Sequence, residues 1–267
     1  MSRLLSFVCL VFGTLMFANA NAHRSWLLPS TTTLSAPGDW VTVDAAVSNE
    51  LFYFNHVPLR LETLRITGPN GGTLSPQNVS TGKFRSTFDA ELSDAGTYRI
   101  ALVNEGVMAT YKEKGEPKRW RGRATDFATQ IPAGAEELKV SETIGRTETF
   151  VTAGKPTTIA PIGSGLELAP ITHPNDLYAG EPAQFKLLLD GKGASGLKVS
   201  IIAGGIRYRD QVNEIEVTTD ADGQFTVTWP EPGFYWINAS TQDNRTQLEQ
   251  ASERRLSYTA TLEVMAP

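Results

Sequence analysis

The chain has 267 residues, with 24 Lys and Arg against 29 Asp and Glu, for a formal charge of −5. An acidic balance argues against nucleic acid as a partner, because such recognition needs a basic face. The one cysteine, Cys9, lies in an apolar stretch near the amino terminus, so a mature chain lacking that stretch is neither a disulfide scaffold nor a thiol enzyme and must rely on burial and backbone pairing.

Arg3 followed by an apolar run over residues 4–18 reads as a secretory signal peptide, too short for a membrane span. Two overlapping small-x-small signals close it. Ala18-Asn19-Ala20 would be cut before Asn21, and Ala20-Asn21-Ala22 before His23. Removing residues 1–22 takes Arg3 away and makes the mature chain one unit more acidic. Its remaining length, roughly 245 residues, suffices for two domains. No later segment is as long as a transmembrane helix, so the mature chain is expected to have no membrane span and to be periplasmic or secreted.

Either cut leaves His23 within three residues of a new α-amino group. With His23 first, its amine and imidazole chelate one metal together, as a histidine-brace copper site begins. With Asn21 first, Asn-Ala-His offers an amine, two backbone amides and an imidazole, a four-nitrogen set that suits Cu(II) or Ni(II). The alternative is an ordinary surface histidine beside a leader that merely ends in small residues.

From Trp40 onward, short alternating or β-branched runs are separated by Gly, Pro, Asn and Asp. Residues 41–47, 61–67, 84–90 and 98–103 are predicted strands, with a turn at Gly68-Pro69-Asn70-Gly71-Gly72, and the spacing implies antiparallel pairing. Asp94-Ala95-Gly96-Thr97-Tyr98 matches the tyrosine corner of immunoglobulin-like sandwiches. Residues 112–123 carry six Lys or Arg around Pro117 and Trp120 and read as a solvated hairpin; the other reading is a landing patch for an acidic partner. Helical turns are expected only at 126–130 and 133–137. Strands resume at 138–144 and 148–152.

The turn-rich stretch from Gly154 to Gly165 reads as a domain junction, dividing the mature chain into 23–160 and 161–267. Strands follow at 185–189, 197–203, 215–219, 225–229, 235–239 and 257–264. Asp190-Gly191-Lys192 and Asp220-Ala221-Asp222-Gly223 read as hairpin turns, the second also echoing the start of a calcium loop. A second Gly-x-Tyr, Gly233-Phe234-Tyr235, hints at duplication. The expected architecture is all-β: two immunoglobulin-like or carboxypeptidase-regulatory-like antiparallel sandwiches in tandem.

Only three histidines are present: His23, His56 at the end of an aromatic stretch, and His173. Three imidazoles and an amine would complete a site for nickel, cobalt or copper, so all three are candidate metal ligands. Asp44 and Glu50 are candidate partners for fixing an imidazole tautomer. Nucleophile elbows, zincin helices, phosphate loops and dinucleotide fingerprints are missing, and no catalytic residue is assigned.

The start Ala22-His23-Arg24-Ser25-Trp26-Leu27-Leu28-Pro29, the aromatic-His segment, Gly180-Glu181-Pro182, Leu189-Asp190-Gly191-Lys192 and Thr219-Asp220-Ala221-Asp222-Gly223 together resemble the NikM-like envelope proteins, described as periplasmic components of nickel or cobalt uptake. The resemblance spans nearly the whole mature chain. It implies a signal peptide, a β architecture and a part in transition-metal handling. The first reading is therefore a metal-binding protein that delivers Ni, Co or Cu to an envelope transporter or outer-membrane receptor. A second is an interaction or carbohydrate-binding module using Trp26, Tyr53 and Trp120. A third is a histidine-brace copper oxygenase.

Overall fold

The structure is a computed structural model and describes residues 23–267. The leader and both cleavage signals lie outside the described residues. The first half runs β1 (Arg24–Pro29), β2 (Thr33–Leu34), β3 (Asp39–Ser48), β4 (Val57–Pro58), β5 (Leu64–Thr67), β6 (Thr73–Leu74), β7 (Gln77–Thr81), β8 (Ser86–Leu92), β9 (Gly96–Glu113), β10 (Glu116–Gly122), helix α1 (Ala124–Gln130) and β11 (Glu136–Ala153). The second half runs β12 (Leu166–Pro170), β13 (Pro182–Leu189), β14 (Lys192–Gly193), β15 (Lys198–Ala203), β16 (Ile215–Thr218), β17 (Gln224–Thr228), β18 (Gly233–Asp243) and β19 (Glu253–Val264). Among the described residues no helix is long and apolar enough to cross a membrane.

In the first half β1-β3-β8-β7 form one sheet and β11-β9-β5-β6 lie opposite. In immunoglobulin lettering these are A-B-E-D and G-F-C-C′. The second half repeats the plan, with β12-β13-β17 as A-B-E and β19-β18-β15-β16 as G-F-C-C′. The two G strands, β11 and β19, then pair parallel from Ser141↔Glu253 to Thr149↔Thr261. One sheet therefore runs through both halves in an order that reads alike from either end, C′-C-F-G-G-F-C-C′.

The chain is all-β as expected, with the sandwich strands pairing antiparallel; the parallel join of β11 to β19, and a two-residue parallel contact of β2 with β11, are additions that the spacing does not name. Two like strands set side by side and pointing the same way are related by an axis along the strands, which exchanges the faces of the sheet. Successive side chains of a strand point to opposite faces. Val151 and Ala153 accordingly enter the first core with Leu27, Val43, Phe88 and Ile100, while Phe150 enters the second with Phe185, Trp229 and Tyr258.

Both tyrosine corners are built. Tyr98 Oη donates to the Asp94 carbonyl at 2.9 Å and accepts from the Asp94 N–H at 2.7 Å. Tyr235 does the same with Glu231, at 2.8 Å and 3.2 Å. The glycines two residues before them share φ values of 138° and 135°, in a region that L side chains avoid. The repeated Gly-x-Tyr thus marks the same place on strand F of two like sandwiches.

Several local expectations change. The predicted strands 138–144 and 148–152 are one strand, β11, continuous through Gly145. Helix α1 forms, and its Phe127 packs on Trp120 with ring centroids 5.9 Å apart, but 133–137 holds no helical turn: Ala135 N–H donates to Pro132 O at 3.0 Å in a turn, and β11 begins at Glu136. Residues 112–123 are a hairpin closed at Lys114-Gly115, with φ of 54° and 80°. Asp220–Gly223 is not a hairpin turn, because β16 and β17 belong to different sheets. Its Asp220 carboxylate accepts from the Asp222 and Gln224 N–H groups at 2.9 Å and 2.8 Å, so that oxygen is spent on the corner.

Candidate metal centre

β1 lies along one edge of β3 and β4 along the other, with Arg24 opposite Ser48 and Val57 opposite Val47. His23 and His56 each precede these pairings by one residue. Both rings therefore sit at the open end of β3, where the strand stops at Ser48. They stack face to face, with centroids 3.8 Å apart and planes 3° from parallel. His23 is exposed and His56 half-buried.

The shelf under this pair is apolar. Trp26 is fully buried among Ala46, Leu51, Ile202 and Trp236, and the rings of Phe52 and Phe54 lie 5.6 Å from it. Trp26 Nε1 donates to Ser48 Oγ at 2.8 Å, and Ser48 Oγ donates to the Glu50 carbonyl at 2.6 Å. Phe52 holds a φ of 60°, unusual for a bulky residue; its ring fills the space over Gly204, where a Cβ would come within 2.9 Å of it. Asn55, the neighbour of His56, accepts from the Asn49 N–H at 3.0 Å and donates to Glu50 Oε2 at 3.0 Å. Loop 49–57 is thus tied down from both sides, which fixes the backbone that carries His56.

The predicted carboxylate partners do not touch the rings. Asp44 pairs with Arg85 at 3.2 Å, and burial raises its carboxyl pKa. Glu50 acts one step away, holding Asn55 and pairing with Arg207 at 3.4 Å. Among the described residues no group of three or more His, Cys, Asp or Glu side chains is placed to hold a metal. Two imidazole nitrogens are present, and a cut before His23 would add the α-amino group as a third donor. The donors suit a late first-row ion in kind. Parallel rings leave no point in the plane of both, so the exposed His23 ring must swing for one ion to engage the pair.

His173 does not join them. Its Nδ1 accepts from the Asn175 N–H at 3.1 Å, so Nε2 carries the proton and donates to Thr97 Oγ1 at 2.9 Å. Thr97 bonds Thr152, and Thr152 bonds Asn175 Oδ1 at 2.8 Å. Thr152 pairs with Thr33 on β2, past the far end of β1, whose six residues alone span about 20 Å. His173 is a structural clasp between the halves.

Burial lowers the pKa of His173. The unfolded chain therefore binds the proton more readily, and this clasp's stability is intact above the unfolded imidazole pKa, about 6.5, and lost as pH falls through the lower folded one. Melting temperature is expected to fall by about 2–4 °C more between pH 7 and pH 5 in the wild type than in His173→Gln.

Of the aromatics predicted to be exposed, Trp26 is buried and Trp120 packs under α1. Tyr53 remains open at 38 % exposure, with the Arg207 guanidinium 4.1 Å from its ring centre. Of the three, Tyr53 alone is an exposed aromatic.

The family described as "Domain of unknown function (DUF4198)" matches residues 20–243. No curated protein matches the chain. Among solved structures, the D0-D1 domain of intimin is 10 % identical, with 90 % of this chain and 97 % of that one covered and a TM-score of 0.22. A DUF4785 family protein of Legionella pneumophila is 9 % identical, with 80 % and 50 % covered and a TM-score of 0.24. The human OSCAR ligand-binding domain is 14 % identical, with 91 % and 99 % covered and a TM-score of 0.19. Scores this low carry no argument, and the sandwich assignment rests on the chain's own strand order and corners.

Proposed function

Because the chain belongs to the DUF4198 family, whose description assigns no activity, we propose a function from the site itself: an exported carrier that takes up nickel, cobalt or copper through His23 and His56 and passes it to an envelope transporter or outer-membrane receptor. The observation that supports this is the 3.8 Å approach of two imidazoles from opposite edges of β3, beside the residue at which export would expose an amine. Nitrogen donors favour late first-row ions over calcium and magnesium, and Cu(II) binds such a set more tightly than Ni(II) or Co(II). A half-open site with one exposed ligand releases its ion readily, as delivery requires.

The protein beginning at His23 is to be titrated with Cu(II) and Ni(II) beside His23→Ala and His56→Ala. Each variant is expected to bind Cu(II) about 100-fold more weakly, a loss of some 2.7 kcal/mol. Equal uptake by all three proteins would remove both histidines from the account.

A further inference from the structure

Two open grooves meet beside His23 on the face of the long sheet that β1 leaves bare. The smaller, about 410 Å³, is lined by His23, Glu214, Asn238 and Trp236. The larger, about 660 Å³, is lined by Asn104, Arg121, Thr143, Ser240, Gln242 and Arg255. Ser25 and Ser257 belong to both walls, so the larger groove adjoins the one that His23 lines.

The larger wall carries positive charge without negative. The chain is acidic overall, yet this wall has two arginines, several hydroxyls and amides, and no carboxylate. Arg255 is partly engaged by Glu253. Arg121 is exposed and makes no ion pair among the described residues. Cross-strand pairing sets the polar side chains in rows, Asn104–Gly145–Ser257–Ser240 and Thr143–Arg255–Gln242.

Gly145 sits mid-strand in β11 on the floor of this groove, where a Cβ would come within 3.3 Å of Ser257 Oγ. A glycine inside a long strand weakens it and often marks close approach of a ligand. The volume fits a small molecule. With no aromatic side chain in the wall, a sugar has no ring to stack on, whereas arginine and hydroxyl donors suit carboxylates.

We propose that the larger groove binds a polycarboxylate, and that the metal reaches His23 and His56 as its chelate rather than as the free ion. The inference rests on the metal-binding reading of those histidines. It gives Arg121 the role of holding the organic acid, Gly145 that of leaving room for it, and the histidines that of taking the ion from its open side.

Citrate serves as the probe, titrated calorimetrically into the metal-free protein beginning at His23, with Arg121→Gln, Gly145→Val and His23→Ala alongside, each checked for folding by circular dichroism. Citrate alone is expected to bind wild type and His23→Ala equally. Arg121→Gln should weaken it roughly fivefold, and Gly145→Val at least tenfold. Cu(II)–citrate should bind wild type about tenfold more tightly than citrate does, an advantage absent from His23→Ala. The proposal is overturned if citrate does not bind, if either groove variant binds it like wild type, or if inorganic phosphate binds more tightly. It is also overturned if copper brings no His23-dependent gain. Uptake of free Cu(II) by wild type in the first three cases leaves the histidine reading standing, and its failure with citrate still bound removes that reading separately.

Discussion

Trp26→Ala is expected to cost about 3–5 kcal/mol and to abolish the geometry of the histidine pair in molecules that still fold. The indole is fully buried, packs against Phe52 and Phe54, and holds Ser48 at the point where β3 ends. Without it the loop that presents His56 loses its floor, and Ser48 loses one of its two hydrogen bonds. Denaturant titration measures the first effect and Cu(II) titration of the remaining folded fraction the second. Unchanged stability, or wild-type copper affinity, would show that the shelf does not set the site. Trp26→Phe, which keeps most of the ring, should recover over half of the lost stability.

The second large effect lies on the other side of the long sheet. Glu148 is fully buried between Arg99 at 3.6 Å and Arg146 at 3.7 Å, and accepts from Tyr258 Oη at 2.7 Å. Burial raises its pKa despite both arginines, so their attraction does not repay the loss of water. Its folded pKa therefore lies above the unfolded one, and its contribution to stability is greatest at low pH and declines as pH rises through the folded value. Glu148→Ala strands two buried guanidinium groups and should cost about 3–5 kcal/mol. The triple replacement Arg99→Met, Glu148→Leu, Arg146→Met should regain that loss and match or exceed the wild type, since it removes these three charges together and leaves the nearby Glu167 carboxylate held by the Ile162 and Gly163 N–H groups. If the triple variant is no more stable than Glu148→Ala in denaturant, the cluster is a net source of stability instead.

Much of the scaffold is legible in the residues. Strand positions follow from alternation between turn formers, and Gly-x-Tyr names both corners, since each tyrosine hydroxyl meets the backbone four residues earlier, at Asp94 and at Glu231. The parallel join is not legible. Alternation tells which face of β11 is apolar, but both faces are buried here, and nothing in it names β19 as the neighbour. Trp26 escaped for a related reason: β1 carries Arg24 and Ser25 at its start and buries both faces, Trp26 in one core and Leu27 in another, so no clean period shows. The meeting of His23 and His56 depends on where β3 stops, which is set by Trp26 and Ser48 packing and not by spacing. His173 looked like a ligand because a neutral, hydrogen-bonded imidazole and a metal-binding one have the same letter in the sequence.

The parallel seam also has a temporal meaning for the growing chain. β19 follows every other described strand, yet its seat is β11, over a hundred residues earlier, so closing the sheet waits on a long loop and belongs to the slow class of folding events. Until then β11 presents an unprotected ladder of amide and carbonyl groups along its outer edge, open to the same strand of another nascent molecule. The molecule is thus most prone to domain-swapped pairing in the interval before β19 docks, and loss of β19 would leave that edge of β11 bare.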